Sequence, residues 1–362
     1  MTTPTVDESG RLVVRRHQAV VAVANDPGTF SSGVSRFLQI PNGLDGESHA
    51  DARSLLDPFL AADQIDPLEP VFAGIARRLI AEVAADGRTF DGVHELGARY
   101  AVRAQSAWLG WGPEREDVLL EWVDQNRAAA RSGDSSRMRD VAEAFGAIIR
   151  SLLAERRAPE RAPSAHRDVT AQLMAVRKKN GESLSEAELV SILRNWTGGD
   201  LASLALCAGV VVHWLATHPR RAALLTSAPD RELDAAIDEI LRADDPFVAN
   251  RRVAMRDAVV DGHRVSAGDV VVLDWRAANR DPDVFAVPDR FAPGPHAAAN
   301  LVYGSGPHAC PGRGLATLEL RVLTRELLSA GAPELDTHRA AVREDPPAGG
   351  FRSVPVRIGP AR

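Results

Sequence analysis

The sequence predicts a mainly α-helical domain built around one long central helix, with a small antiparallel β region. Three observations predict it. From Glu69 to Arg161 the apolar residues recur mostly at spacings of three and four, as in Leu119, Leu120, Trp122 and Val123, or Phe145, Ile148, Ile149, Leu152 and Leu153. That spacing gathers them on one face of a helix. A long apolar segment from Leu189 to Leu215 follows Ser183 or Ser185 with Glu186 and Glu188, the signature of a capped helix start. After Asp245-Pro246 the texture changes to β-branched, alternating stretches.

Taken in order, R-L-V-V-R-R-H-Q-A-V-V-A from Arg11 to Ala22 begins as a strand and slides into helical spacing, closed by the turn residues Asn25-Asp26-Pro27-Gly28. The amphipathic run to Arg161 comes next, punctuated by Pro159, Pro163 and Gly181. His218-Pro219 ends the central helix, and shorter helices are expected over about 220–225 and 231–242. The β region is split by Asp261-Gly262 and Ala267-Gly268, which suit tight turns. A proline-rich meander from Asp281 to Ala299 leads to a glycine-rich loop and a last helix over 314–330, and F-R-S-V-P-V-R-I reads as a closing strand pair. No repeat or low-complexity linker divides the chain, so residues 1–362 are expected to form one domain.

Composition narrows the function. With 45% apolar and 25% charged residues, the chain is neither collagen-like, coiled coil nor disordered. A net charge of −6 from 43 basic and 49 acidic residues, evenly spread, makes nucleic acid an unsuitable partner. The first ten residues carry no basic start and no apolar stretch, so neither a leader nor a membrane anchor is expected, and the location is cytoplasmic. The run from Leu201 to Ala216, broken by Ser203 and His213, is shorter than the roughly 20 residues a membrane span needs and reads as a core helix. Two cysteines, Cys207 and Cys310, provide no disulfide framework. Cys207 sits among Leu204, Ala205, Leu206 and Ala208 and reads as core.

Cys310 is different. Residues 303–312 read Y-G-S-G-P-H-A-C-P-G, placing the thiol among Gly304, Gly306 and Gly312, just before a helix. Glycines let backbone approach something flat and large. A helix N-terminus favours the thiolate, which is a metal ligand or a nucleophile. The string resembles the signature of the cytochrome P450 family: an aromatic residue, then Gly-x-Gly-x-His-x-Cys-x-Gly, then Leu315, Ala316 and Glu319 in a Leu-Ala-x-x-Glu pattern. Tyr303 replaces the usual phenylalanine. The resemblance implies a cytochrome P450 fold, haem b (iron protoporphyrin IX) as cofactor, Cys310 as the axial iron ligand and His308 as a propionate donor.

Other motifs agree with that resemblance. Glu239 and Arg242 form a Glu-x-x-Arg where the family buries a structural ion pair; the family's third partner, an arginine of the meander, is missing, so Arg290 or His296 substitutes or the pair stands alone. His49 and Arg53, at i and i+4, match the family's cofactor-binding His-x-x-x-Arg. Arg252 occupies the place of a further propionate arginine, and four donors for two carboxylates is consistent arithmetic. On the central helix, Ser203 stands where the family carries an oxygen-activating threonine. Ala202 replaces the acid before it, and Gly199-Asp200 replaces an Ala-Gly pair. Asp200, one turn before Ser203, is expected to supply the missing acid function; its other readings are a cap for loosened backbone N–H groups or a substrate contact. Asn195, Gly198 and Gly199 are expected to line the substrate pocket, Gly199 also approaching the cofactor together with Gly304, while Trp196 packs in the core.

The resemblance runs from about Arg11 to the closing strands. The family's leading helix is missing, and the connection from Ser32 to Ser48 is short for a segment that roofs the pocket. An open pocket, or one closed by a partner subunit, is the corresponding expectation. The implied activity is hydroxylation or oxidative tailoring of a small organic substrate by dioxygen, with electrons from a ferredoxin and its ferredoxin reductase. The alternatives are a peroxide-using or non-monooxygenase haem-thiolate enzyme, and a catalytically silent partner protein.

Overall fold

A computed structural model describes residues 4–158 and 168–359, with Gly199 and Asp200 described in backbone only. The central helix spans Glu186–Thr217 without a break. Ser185 caps it: its hydroxyl accepts from the Glu188 amide while the Glu188 carboxylate accepts from the Ser185 amide, so two otherwise orphaned donors are satisfied reciprocally. At 32 residues the helix is long and apolar enough to cross a membrane, yet 69% of its most apolar stretch is buried against the rest of the chain. It is the axis of the hydrophobic core, with Ile192, Leu193, Leu204, Val211 and Leu215 all but inaccessible.

Helices pack around that axis in the places the periodicity predicts. The segment Gly92–Ala98 opens in a π-helical turn and continues as the helix Arg99–Leu109. It comes so close that a Cβ on Gly97 would lie 2.8 Å from the Ala205 carbonyl oxygen, and only glycine permits this approach. Glu116–Ser132 and Ser135–Arg157 form an antiparallel pair joined at Gly133, whose φ of 65° ends the first helix. Trp122 and Phe145 stack across the pair at 3.9 Å. Glu69–Val83 lies against Arg313–Ala330, and the two helices expected after His218 span Pro219–Leu225 and Asp230–Ala243.

The sheets refine the prediction at two points. The largest has five strands in the order Thr5–Val6, Leu12–Val14, Val270–Asp274, Ala249–Ala254 and Phe30–Ser31. All its pairings are antiparallel except that of Leu12–Val14 with Val270–Asp274, which is parallel. These strands are so far apart in sequence that no hairpin constrains their direction. The closing segment is not a strand pair: Phe351–Ser353 pairs with Val342–Arg343, whereas Pro355–Ile358 joins Pro333–Leu335 and Phe90–Asp91 in another sheet. Val354 separates the two stretches, and its carbonyl accepts from the Gly92 amide, so the chain passes from one sheet to the next rather than turning back.

Candidate functional site

The glycine-rich loop is held by its own backbone. The Cys310 amide donates to the Tyr303 carbonyl at 2.8 Å, and Gly304 and Gly306 adopt φ of 74° and 73°, the left-handed region that favours glycine. A Cβ on Gly306 would lie 2.7 Å from the Ala24 carbonyl oxygen, so the loop is pressed onto the end of the helix His17–Ala24. Asn25 fastens it by donating to the Ser305 hydroxyl at 3.0 Å. Cys310 is exposed, whereas Cys207 is 4% exposed in the core. The Tyr303 hydroxyl is turned to Thr317, 3.4 Å away on the last helix, and Arg313 lies over its ring at 5.1 Å while pairing with Asp238 at 3.0 Å.

Basic side chains from two other elements meet the loop's own His308. The helix Gly46–Leu56 carries His49 and Arg53, the strand Ala249–Ala254 carries Arg252, and His308 closes the turn Gly306–His308. The His49 and His308 rings meet at 4.2 Å. Arg53 donates to the carbonyls of Pro307 at 3.1 Å and Ala309 at 3.4 Å, and its Nε pairs with Asp57 at 2.6 Å. Arg252 is buried and donates only to the Arg251 carbonyl; no ion pair to it occurs among the described residues. Burial and the neighbouring positive charges push the His49 pKa below the ordinary value. Burial likewise lowers that of His308, with Arg252 and Arg53 adding to it and Asp45 opposing.

Asp45 is a member of this cluster that sequence reasoning missed. Its carboxylate accepts from the Ser31 hydroxyl, the Ser32 amide and His308 Nε2 at 3.1 Å. Burial raises its pKa, but those hydrogen bonds outweigh burial and hold it below the usual carboxylate value. Its place immediately before the helix carrying His49 is a helix-capping signal, yet the side chain caps nothing and turns instead to Ser31 and His308.

Behind the loop lies a buried ion pair with a third member. Arg242, wholly buried, donates through Nε to Glu239 Oε2 at 2.7 Å and through Nη2 to Oε1 at 3.0 Å. It also reaches the carbonyls of Asn279 and Pro288, both at 2.7 Å, which fastens the helix Asp230–Ala243 to the meander. His296 completes the cluster, with Nδ1 at 2.7 Å from Glu239 Oε1, whereas Arg290 is exposed. Burial pushes the Glu239 carboxyl up, and hydrogen bonds from Arg242, the Ala292 amide and His296 more than reverse it.

Along the central helix, Ser203 and Ala202 are half-buried. The side chain of Asp200, with Gly199, lies outside the described residues. Asn195 donates one amide N–H to the Ile40 carbonyl at 2.8 Å. Gly198 faces helices: a Cβ there would lie 3.6 Å from Trp122 and 3.9 Å from Phe145, making it a packing position. Trp196 packs against Trp108 and Phe59. Arg127, on the helix Glu116–Ser132, is a second polar residue that sequence reasoning missed; it is buried, with Nη2 at 3.4 Å from the Ala202 carbonyl.

Comparison with known proteins agrees with this arrangement. The family model for cytochrome P450 matches residues 232–348. The chain is 30% identical over 334 residues to the probable cytochrome P450 127A1 of Sinorhizobium fredii, covering 90% of this chain and 78% of that one. It is 29% identical over 338 residues to the erythromycin C-12 hydroxylase of Saccharopolyspora erythraea, covering 89% and 82%. In structure it is similar to the open form of cytochrome P450 EryK from S. erythraea, with a TM-score of 0.88 at 26% identity over 99% of this chain and 93% of the other.

Proposed function

We propose that the chain, which belongs to the cytochrome P450 family and is a P450 monooxygenase, would hold haem b with the Cys310 sulfur as the ligand to its iron. On this reading it works in the cytoplasm, taking electrons from a separate ferredoxin and ferredoxin reductase to hydroxylate or otherwise tailor a small organic molecule. The convergence of His49, Arg53, Arg252 and His308 on the loop that bears Cys310 carries the proposal.

The residues fit the cofactor. Arg252 is buried without a carboxylate partner, and the His49 ring makes no hydrogen bond among the described residues. Two guanidiniums and two imidazoles with unspent donors are chemically matched to the two propionates of an iron porphyrin. The left-handed glycines at 304 and 306 leave the loop free of side chains on both sides of Ser305. When bound, the haem iron supplies the dioxygen chemistry of the reaction. The chain contributes the Cys310 sulfur as ligand, the propionate donors that orient the ring, and the Ser203 hydroxyl, which holds and passes a proton, with Asp200 as its acid source. Only two cysteines occur in these 362 residues, too few for an iron–sulfur cluster within them, which supports a separate ferredoxin as the electron donor.

The absorption spectrum of the reduced protein under carbon monoxide tests the ligand. A strongly red-shifted Soret band that disappears in Cys310→Ala is expected. A colourless protein, or a band indifferent to that change, would overturn the proposal. Turnover with ferredoxin and reductase is expected to exceed turnover with peroxide, and the reverse would favour a peroxide-using enzyme.

A further inference from the structure

We propose that Arg127 is a specificity residue that anchors a carboxylate on the substrate. Arg127 is 7% exposed, and two of its three side-chain nitrogens, Nε and Nη1, have no hydrogen-bond partner among the described residues. The third, Nη2, makes one long contact of 3.4 Å with the Ala202 carbonyl. Burial pushes the Arg127 pKa below the ordinary arginine value, but a guanidinium keeps its proton in proteins. Among the described residues the guanidinium is therefore buried, charged and largely unpaired, and such a group calls for an anion.

The counter-ion is not among the described side chains. Three carboxylates lie near enough for their charge to be felt, Asp124, Glu344 and Asp91, and each is engaged elsewhere. Asp124 pairs with His94 at 3.3 Å. Glu344 pairs with Arg131 at 3.2 Å and with Arg352 at 3.5 Å. Asp91 accepts from the amides of Val93 and His94 and from the Ser353 hydroxyl.

The position of Arg127 matters for the reaction. Ala202, which it touches, directly precedes Ser203 on the central helix. One turn farther along its own helix, Arg131 is tied to Glu344, in the segment leading to Phe351, whose ring lies 4.1 Å from that of His213 on the central helix. Arg127 thus stands between the central helix and the segment 344–351, beside the residue assigned to proton handling. An anion meeting it would lie beside the backbone of Ala202, the residue before Ser203.

The chemistry favours a carboxylate. The planar guanidinium matches a planar, singly charged acceptor. A phosphate monoester would bury a second negative charge that the single guanidinium leaves uncompensated. This inference rests on the monooxygenase reading above, and the test separates the two.

The test uses holoprotein and matched pairs of probes that differ only in charge, 4-phenylbutanoate with 4-phenylbutanamide and decanoate with decanamide. Binding is followed by calorimetry and by the Soret shift. The wild-type protein is expected to bind at least one acid about 10- to 100-fold more tightly than its amide, as charge-assisted hydrogen bonds allow, and Arg127→Gln is expected to abolish the difference while keeping the carbon monoxide band. Equal binding of acid and amide by the wild type, no measurable binding of either acid, or discrimination that survives in Arg127→Gln would overturn the assignment. A ligand-free measurement supports the binding data. Arg127→Met is expected to raise the thermal midpoint or leave it unchanged, because it removes an uncompensated charge; a fall of several degrees would reveal an internal partner and also overturn the assignment. A missing carbon monoxide band in the wild type would count against the monooxygenase reading instead.

Discussion

Replacing His296 by phenylalanine tests whether an imidazole completes the buried ion pair behind the cysteine loop. Glu239, 2% exposed, receives four hydrogen bonds: two from Arg242, one from the Ala292 amide at 2.9 Å and one from His296 at 2.7 Å. Phenylalanine keeps the ring that meets Phe285 edge-on at 5.2 Å and removes only the donor. A hydrogen bond to a charged group contributes roughly 1.5–3 kcal/mol. The His296 side chain is 12% exposed, so water replaces part of the loss, and the expected cost is about 1–2 kcal/mol. Glu239→Gln leaves Arg242 wholly buried without its anion and is expected to cost about 3–5 kcal/mol. The double variant should cost less than the sum by about 1 kcal/mol, because both changes delete the same contact. Urea unfolding at 25 °C, followed by tryptophan fluorescence, measures all three. The Glu239 pKa lies below the ordinary value, so the ion pair's stabilisation is full at neutral pH and is lost as acid protonates the folded state; the His296→Phe penalty should shrink accordingly. A cost under about 0.3 kcal/mol, or strict additivity in the double variant, would refute the reasoning.

On the proposed reading, Arg252→Ala removes a buried propionate donor and is expected to release haem about tenfold faster to an apomyoglobin acceptor, with far-ultraviolet circular dichroism unchanged. Asp245 is wholly buried and its pKa is pushed up to about 8 from 3.8. Between those values the unfolded chain has released the proton that the folded one retains, so this group makes stability fall with rising pH, by up to about 1.4 kcal/mol per unit. Depressed histidines such as His213 act in the opposite sense, so the quantity to measure is the difference between wild type and Asp245→Asn, which should flatten the slope over that range. Ser191→Ala with Asn195→Ala removes the side chains that hold the backbone of Leu38 and Ile40, and limited proteolysis at the exposed Phe37 and Leu38 should quicken several-fold without change in the global unfolding midpoint.

Local signals were legible where the chain interacts with itself over short distances. The Ser185 to Glu188 capping box, the apolar run behind it and the glycine pattern around Cys310 each correspond to a feature of the structure. The basic cluster was legible as a set of motifs, His49 with Arg53 at one helical turn and His308 two residues before Cys310, although their meeting is a tertiary fact. What depended on tertiary placement was not. The choice of His296 over Arg290 follows from the short helix Pro293–His296 lying against Asp230–Ala243, which no local pattern encodes. The parallel pairing of Leu12–Val14 with Val270–Asp274 joins opposite ends of the chain. Arg127 had a signal that went unused. Leu119, Val123 and Arg127 follow one another at four-residue intervals on one helical face, and a charge continuing a core stripe marks either a solvated end or a buried group with work to do.

The polar residues of the central helix hold the segment between Ser32 and Ser48 in place. Ser191 accepts from the Ile40 amide and donates to the Leu38 carbonyl, Arg194 donates to the same carbonyl at 2.6 Å, and Asn195 donates to that of Ile40. Asn195, which the sequence reading assigns to the pocket, thus joins Ser191 and Arg194 in tying down the middle of the segment between Ser32 and Ser48. Asp45 closes the same segment at its ends, binding Ser31 and Ser32 while also accepting from His308. A loop whose ends meet and whose middle is pinned has little freedom to open. The segment is therefore mechanically continuous with the basic cluster, and a ligand that displaces Asp45 from His308 would disturb both. Asn195 and Ser191 are engaged with this segment, and on the proposed reading it is Arg127 that discriminates among substrates, a single buried guanidinium doing so most strongly by charge.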